Sequence, residues 1–243
     1  MTDPALGELL ADLVAANHVL YDQQVLDGLG HVSVRDPRDP QRFLMARALA
    51  PGLVAADDIL TFDLDGKAVE ATRHAVYIER FIHAEIYRSR GDANAVVHSH
   101  SPAVIPFGVT TKPMQPVSGT AAFLALGVPV FEIRDLVAAS DLLISTAELG
   151  KALARTLGSG AVALLRGHGN VVVGSELREV VSRAIYTEIN ARLQMQAIAI
   201  GGPINYVSAD EAAAIGRMGA TRGREGLQRS WAMWREQAER HRR

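Results

Sequence analysis

Apolar residues recur at helical spacing between residues 4 and 27, at Leu6, Leu9, Leu10, Leu13, Val14 and Val19, and Gly28 and Gly30 end that run. The period then changes to two. HVSVRD (31–36) reads as a strand and RFLMA (42–46) as its partner, joined by the Pro- and Asp-rich DPRDPQ. ILTFDLDGKAV (59–69) places two apolar runs around Asp65-Gly66, a hairpin signal. A helix is predicted over 75–90, a short buried strand over 95–98, and a helix opening at Ser101-Pro102. VPVFEI within 117–135 is strand-like. A helix over 145–157 is capped by Ser145 or Thr146 and ended by Gly158. AVALL and NVVVG flank Arg166–Gly169 as two strands. A long helix over 175–200 is broken by GGP at 201–203, Ser208 caps another, and a last helix covers about 224–241. No internal repeat or linker divides the chain, so residues 1–243 read as one domain: a β-sheet with helices on both sides. The helices of about 208–241 are expected to pack on the core or on a neighbouring subunit.

Composition narrows the function classes. Apolar residues make up 48% of the 243, enough for a substantial core. A net charge of −2 offers no footprint for nucleic acid or an anionic membrane. Cysteine is absent, which removes disulfides, thiolate metal sites and Cys nucleophiles, and is compatible with a cytoplasmic location. The N-terminal segment has no basic region followed by a continuous apolar stretch, and no apolar run suits a spanning helix.

Three histidines carry the candidate chemistry: His98 and His100 in VVHSH, and His168 in LLRGHG. On a strand, positions two apart share a face, so His98 and His100 point together and Ser99 points away. Gly167 and Gly169 allow a sharp turn and close backbone approach at His168. Three imidazoles leave coordination positions open for substrate, as in a catalytic metal site. Glu79 lies among Tyr77, Ile78, Phe81 and Ile82, where a carboxylate is either paired or raised in pKa. An ion pair with Arg80, or a helix N-terminal position, explains it equally well.

Taken together, Glu79, His98, His100 and His168, with the segments GHVSVR (30–35), GDANAVVHSH (91–100) and LLRGHGNVVVG (164–174), resemble the class II aldolase/adducin family over about residues 5–200. The resemblance implies a three-layer α/β/α fold with a mainly antiparallel central sheet. It implies one divalent metal ion per subunit (Mn, Zn, Fe or Co) on His98, His100 and His168, with Glu79 as a further ligand or as general acid/base. It also implies a homo-oligomer, a tetramer being favoured, with sites at subunit interfaces.

The departures from the sugar-phosphate aldolases of that family bear on substrate. Where those enzymes have Gly-Asn, Thr-Gly and Ser-Ser, this chain has Gly30-His31, Arg47-Ala48 and Tyr77-Ile78. Most donors that a phosphate monoester needs are thus replaced. Arg47 offers a planar fork suited to a carboxylate, and Tyr77 and Ile78 offer apolar walls. With His31 and Ser33 these make the expected substrate-binding set. The pattern is similar to the family's decarboxylase branch, which removes CO₂ from hydroxylated aromatic or pyridine dicarboxylates such as 3,4-dihydroxyphthalate or a vitamin B6 breakdown acid. The expected function is therefore a metal-dependent decarboxylase of a small aromatic acid. An aldolase, epimerase or dehydratase acting on a non-phosphorylated hydroxy acid or sugar is the alternative, and a non-catalytic adducin-like binding domain the second. Structural explanations stay open for Arg47 (pairing with Asp57 or Asp58) and for His31 (capping the first helix). Tyr186 and Tyr206 are candidates for a proton-donating tyrosine. His83, four residues after Glu79, is expected to make a packing or helix-surface contact, Arg166 to face the pocket or an ion pair, and Trp231 and Trp234 to pack the last helix.

Overall fold

The computed structural model describes residues 4–218 and 224–242. Its elements run in the order α1 (Pro4–Asp22), β1 (His31–Arg35), β2 (Arg42–Ala46), β3 (Ile59–Asp63), α2 (Arg80–Ser89), β4 (Ala95–Ser99), α3 (Ile105–Val109), β5 (Val130–Phe131), α4 (Ala147–Leu157), β6 (Val162–Leu165), β7 (Gly169–Gly174), α5 (Leu177–Ile200), α6 (Ala209–Met218) and α7 (Arg224–His241).

The strands form one sheet in the order β3-β2-β1-β4-β7-β6-β5, antiparallel throughout except for the β5–β6 pair. Alternation along the strands sorts the core into two layers. Val32, Val34, Leu44, Ala95, Val97, Val162, Leu164 and Val172 face one side, beneath α1, α5 and α7. Phe43, Met45, Val96, Ala163, Leu165, Val171 and Val173 face the other, with residues of α2 and α4. This is the expected three-layer α/β/α arrangement with a mainly antiparallel sheet. The last helix packs on α1 and α5, with Trp231 and Trp234 buried and Trp234 edge-on to Tyr186 at 6.0 Å between ring centroids.

Several element ends differ from expectation, each for a local reason. The first helix stops at Asp22, not residue 27, because Gln24 takes a left-handed conformation (φ 58°). The second helix begins at Arg80, not residue 75. Its upstream stretch is tied to the β2–β3 region instead: the Ala48 amide donates to the Ala75 carbonyl, and the Tyr77 hydroxyl donates to the Leu49 carbonyl. The hairpin after β3 turns at Gly66 (φ 74°), but its return arm forms an isolated bridge at Ala68, not a full strand. VPVFEI contributes only two strand residues. Thr146 caps α4, its hydroxyl accepting from the Leu149 amide, and Ser208 forms a reciprocal capping pair with Glu211 at the start of α6. Among the described residues, no helix is long and apolar enough to cross a membrane.

Candidate metal centre

Three separate parts of the fold converge at one end of the central strands. Strand β4 supplies His98, and the chain leaving it supplies His100. The β6–β7 turn, Arg166–His168, supplies His168, while Glu79 sits at the N-terminal boundary of α2. Gly167 takes a left-handed φ of 67° in that turn, which a side chain would strain. Gly169 meets β4 so closely that an added Cβ would lie 2.0 Å from the Ser99 carbonyl oxygen. The glycines flanking His168 therefore let the turn close onto VVHSH.

One ligand atom from each of Glu79, His98, His100 and His168 lies within 4.8 Å of all the others. Oε2 of Glu79 is 3.3 Å from His98 Nε2 and 3.5 Å from His168 Nε2, and the Nε2 atoms of His100 and His168 are 3.1 Å apart. The outward ring nitrogens of His98 and His100 are already engaged. His98 Nδ1 donates to the Asn170 carbonyl at 3.1 Å, and His100 Nδ1 faces the Asp27 carboxylate at 3.1 Å. Each bond puts the ring proton on Nδ1 and turns the Nε2 lone pair inward. His98 Nε2 is fully buried and has no well-aligned hydrogen-bond partner among the described residues, an unstable condition for a polar atom that a cation relieves. Three imidazole nitrogens and a carboxylate brought this close together fit a divalent metal ion.

Electrostatics point the same way. Burial lowers His168 to about 4, assisted by its imidazole neighbours, so it is neutral at pH 7. Burial also lowers His100. For Glu79, burial pushes upward, but His98, His168 and the Ile144 amide, which donates to Oε1 at 2.9 Å, outweigh it and hold the carboxyl at about 2. Of the two states expected for Glu79, these contacts favour the paired, ionised one. Arg80 is instead turned to the Gly66 and Tyr77 carbonyls.

The expected substrate-binding residues divide. The rings of His31 and Tyr77 are 4.5 Å apart, and His31 is 5.1 Å from the His98 ring, its cross-strand partner in β1–β4. His31 does not cap the first helix. Its Nδ1 is 2.7 Å from His83 Nε2. Arg47 pairs through Nε with Asp58 at 2.7 Å. Ser33 is completely buried behind His31, bonded to His83 and Tyr87. Ile78 is 57% exposed. His83 makes no helix-surface contact; it is fully buried, and burial lowers it to about 3. Arg166 pairs with Glu132 at 2.9 Å. Tyr186 packs against Trp234 on the opposite side of the sheet, and Tyr206 lies near Gln194, so neither joins the cluster.

Asp27 and Asn170 had no sequence signal strong enough to single them out. Asp27 accepts from the Leu29 and Gly30 amides as well as facing His100, and although burial pushes its carboxyl up, these bonds hold it below the usual range. Its signal was the turn-forming Asp27-Gly28-Leu29-Gly30. Tyr87 and His83 did leave a trace: with Glu79 they repeat every four residues, which is one helical stripe.

The profile of the Class II Aldolase and Adducin N-terminal domain matches residues 11–195, and the chain belongs to that family. Among its relatives, Decarboxylase tropJ of Talaromyces stipitatus is 38% identical over 194 residues, covering 74% of this chain and 73% of that protein. A 3,4-dihydroxyphthalate decarboxylase of Arthrobacter keyseri is 29% identical over 242 residues, covering 91% and 94%. An aldolase II superfamily protein from Pseudomonas syringae superimposes with a TM-score of 0.81 at 22% identity, covering 99% of this chain and 95% of that one, which establishes a shared fold.

Proposed function

We propose that this protein is a divalent-metal-dependent decarboxylase of a hydroxylated aromatic or heteroaromatic acid. The observation that carries the proposal is the convergence of Glu79, His98, His100 and His168 beside His31 and Tyr77, in a chain whose relatives include decarboxylases. A divalent cation held by the three imidazoles and Glu79 supplies positive charge to the ring oxygen on which negative charge collects.

The protein groups then have defined tasks. Glu79 rests as a carboxylate, so it first accepts the proton of the ring hydroxyl. It next delivers that proton to the ring carbon bearing the departing carboxylate, drawing an electron pair from the ring oxygen. The bond to the carboxylate breaks, CO₂ leaves, and its electron pair flows back onto that oxygen. Atoms and charge balance without a further reactant. Among the described residues Arg47 engages Asp58 through Nε alone, which leaves its terminal nitrogens for a second, unreactive carboxylate. Tyr77 lies tilted against His31, at 50° between ring planes, and the pair offers an aromatic wall to a planar ring.

The test is CO₂ release from 3,4-dihydroxyphthalate and its hydroxypyridine dicarboxylate counterpart, alongside cleavage of a sugar phosphate, each with added Mn²⁺. Release of CO₂ from an aromatic acid is expected. Turnover of the sugar phosphate alone would overturn the reading in favour of an aldolase. A homo-oligomer, most simply a tetramer, belongs to the same proposal. Its support is the exposed apolar residues Ile189, Leu193 and Ile200, which share one face of α5, and light scattering of the purified protein checks it.

A further inference from the structure

Behind the His98 ring lies a chain of buried polar groups that the scheme above leaves unused. Tyr87 Oη is 2.7 Å from Ser33 Oγ, Ser33 Oγ is 2.6 Å from His83 Nδ1, and His83 Nε2 is 2.7 Å from His31 Nδ1. None of the four residues is more than 2% exposed. Such a chain can carry its protons in either direction, and the two directions leave His31 as different tautomers.

Tyr87 decides between them. Its hydroxyl has one proton to donate, and Ser33 Oγ is the one hydrogen-bond partner it meets among the described residues. With the chain reversed, Ser33 would donate to Tyr87 and the buried phenol proton would be left without an acceptor among the described residues. Tyr87 therefore donates to Ser33, and Ser33 donates to His83 Nδ1. His83 then carries its proton on Nε2 and donates to His31 Nδ1. His31 is left with its own proton on Nε2, a nitrogen with no protein partner among the described residues, on a ring lying against His98 and Tyr77.

We propose that the Tyr87–Ser33–His83 chain locks His31 in its Nε2–H tautomer, giving the site a neutral hydrogen-bond donor that selects a substrate presenting an oxygen acceptor beside the metal ligands. Tyr87, Ser33 and His83 are positioning residues, and His31 is the group that meets the substrate. The choice of acceptor, a carboxylate or phenolate oxygen, rests on the decarboxylase reading. The direction of the proton chain does not.

The experiment uses the full chain, labelled with ¹⁵N-histidine, as the zinc-loaded protein at pH 7. Two-bond proton–nitrogen correlation spectra report the tautomer of each imidazole, and His31→Asn assigns the His31 signals. His31 and His83 are expected to be neutral and protonated on Nε2. A His31 protonated on Nδ1, or on both nitrogens, would overturn the proposal, whatever the substrate. Tyr87→Phe removes the proton that sets the direction. It is expected to put His31 into exchange between tautomers and to lower kcat/KM roughly tenfold, with most of the loss in KM. An unaltered His31 signal in folded Tyr87→Phe protein would also overturn it, and Ser33→Ala breaks the same chain should Tyr87→Phe fail to fold. Absence of CO₂ release from every acid would remove the decarboxylase reading while leaving the tautomer result intact.

Discussion

Nδ1 of His100 lies 3.1 Å from the carboxylate of Asp27, 73 positions earlier in the chain. The contact joins the loop after α1 to the end of β4. It fixes which His100 nitrogen faces the cluster, and it raises the basicity of that nitrogen. Asp27→Asn keeps the size and the turn but removes the charge. Metal affinity is expected to fall roughly 10- to 100-fold, with the melting temperature of metal-free protein little changed. Competition titration against a coloured chelator measures it, and an unchanged affinity would mean that Asp27 serves only its turn.

His98→Ala and His168→Ala each remove an inward lone pair. Both proteins are expected to purify with far less metal than wild type by elemental analysis, and to lose activity that added Mn²⁺ does not restore. Wild-type protein stripped with chelator is expected to lose activity and to regain it with Mn²⁺. Full activity in stripped protein would leave the cluster without a catalytic role.

The Gly169 backbone touches β4 so closely that Gly169→Ala would set a methyl 2.0 Å from the Ser99 carbonyl oxygen. One of two hydrogen-bonded strands must shift. A loss of roughly 3 kcal/mol or more is expected from denaturant titration, together with weaker metal binding, because His168 precedes this residue. Gly28→Ala has open space around its Cβ position and is the control, expected to change little.

Acid should destabilise the metal-free protein from an unusually high pH. His83 is lowered to about 3 and His168 to about 4, against an ordinary value of 6.5. Between those limits the unfolded chain binds more protons, so stability falls as pH drops below 6.5. At pH 5 the fully buried His83 alone accounts for a loss of about 2 kcal/mol. Glu79, held at about 2 against 4.5, adds a second loss as pH falls from 4.5 towards 2. Urea titrations from pH 7.5 to 4.5 check the first window, and a stability flat from pH 7 to 5 would contradict the burial of neutral imidazoles.

If Arg47 grips a substrate carboxylate, Arg47→Lys keeps the charge but loses the planar fork. KM for the aromatic diacid is expected to rise roughly tenfold or more, with kcat less affected. Since Arg47 also holds Asp58 at 2.7 Å, the comparison variant is Asp58→Asn, which tests the ion pair without removing the guanidinium. Equal KM in wild type and Arg47→Lys would confine Arg47 to its ion pair.

Much of the molecule follows from local pattern. The switch from helical spacing to alternation marks most of the strands, and the same alternation divides β1, β2, β4, β6 and β7 between two helical layers. The histidines could be read as ligands because VVHSH and the Gly-flanked His168 are short-range signals. What the chain alone did not reveal depends on residues far apart in it. The start of α2 at Arg80 is set by contacts of residues 75–77 with the β2–β3 region, which periodicity cannot register. The ionised state of Glu79 needs His98, His168 and the Ile144 amide, 65 positions away. Asp27 and Asn170 acquire their roles only when the sheet brings them to the outward nitrogens of His100 and His98. Residue type and spacing determine which side chains can bind a metal or a proton; only the folded chain's distances decide which nitrogen bears the hydrogen and which charge survives burial, because both depend on partners that sequence neighbours do not supply.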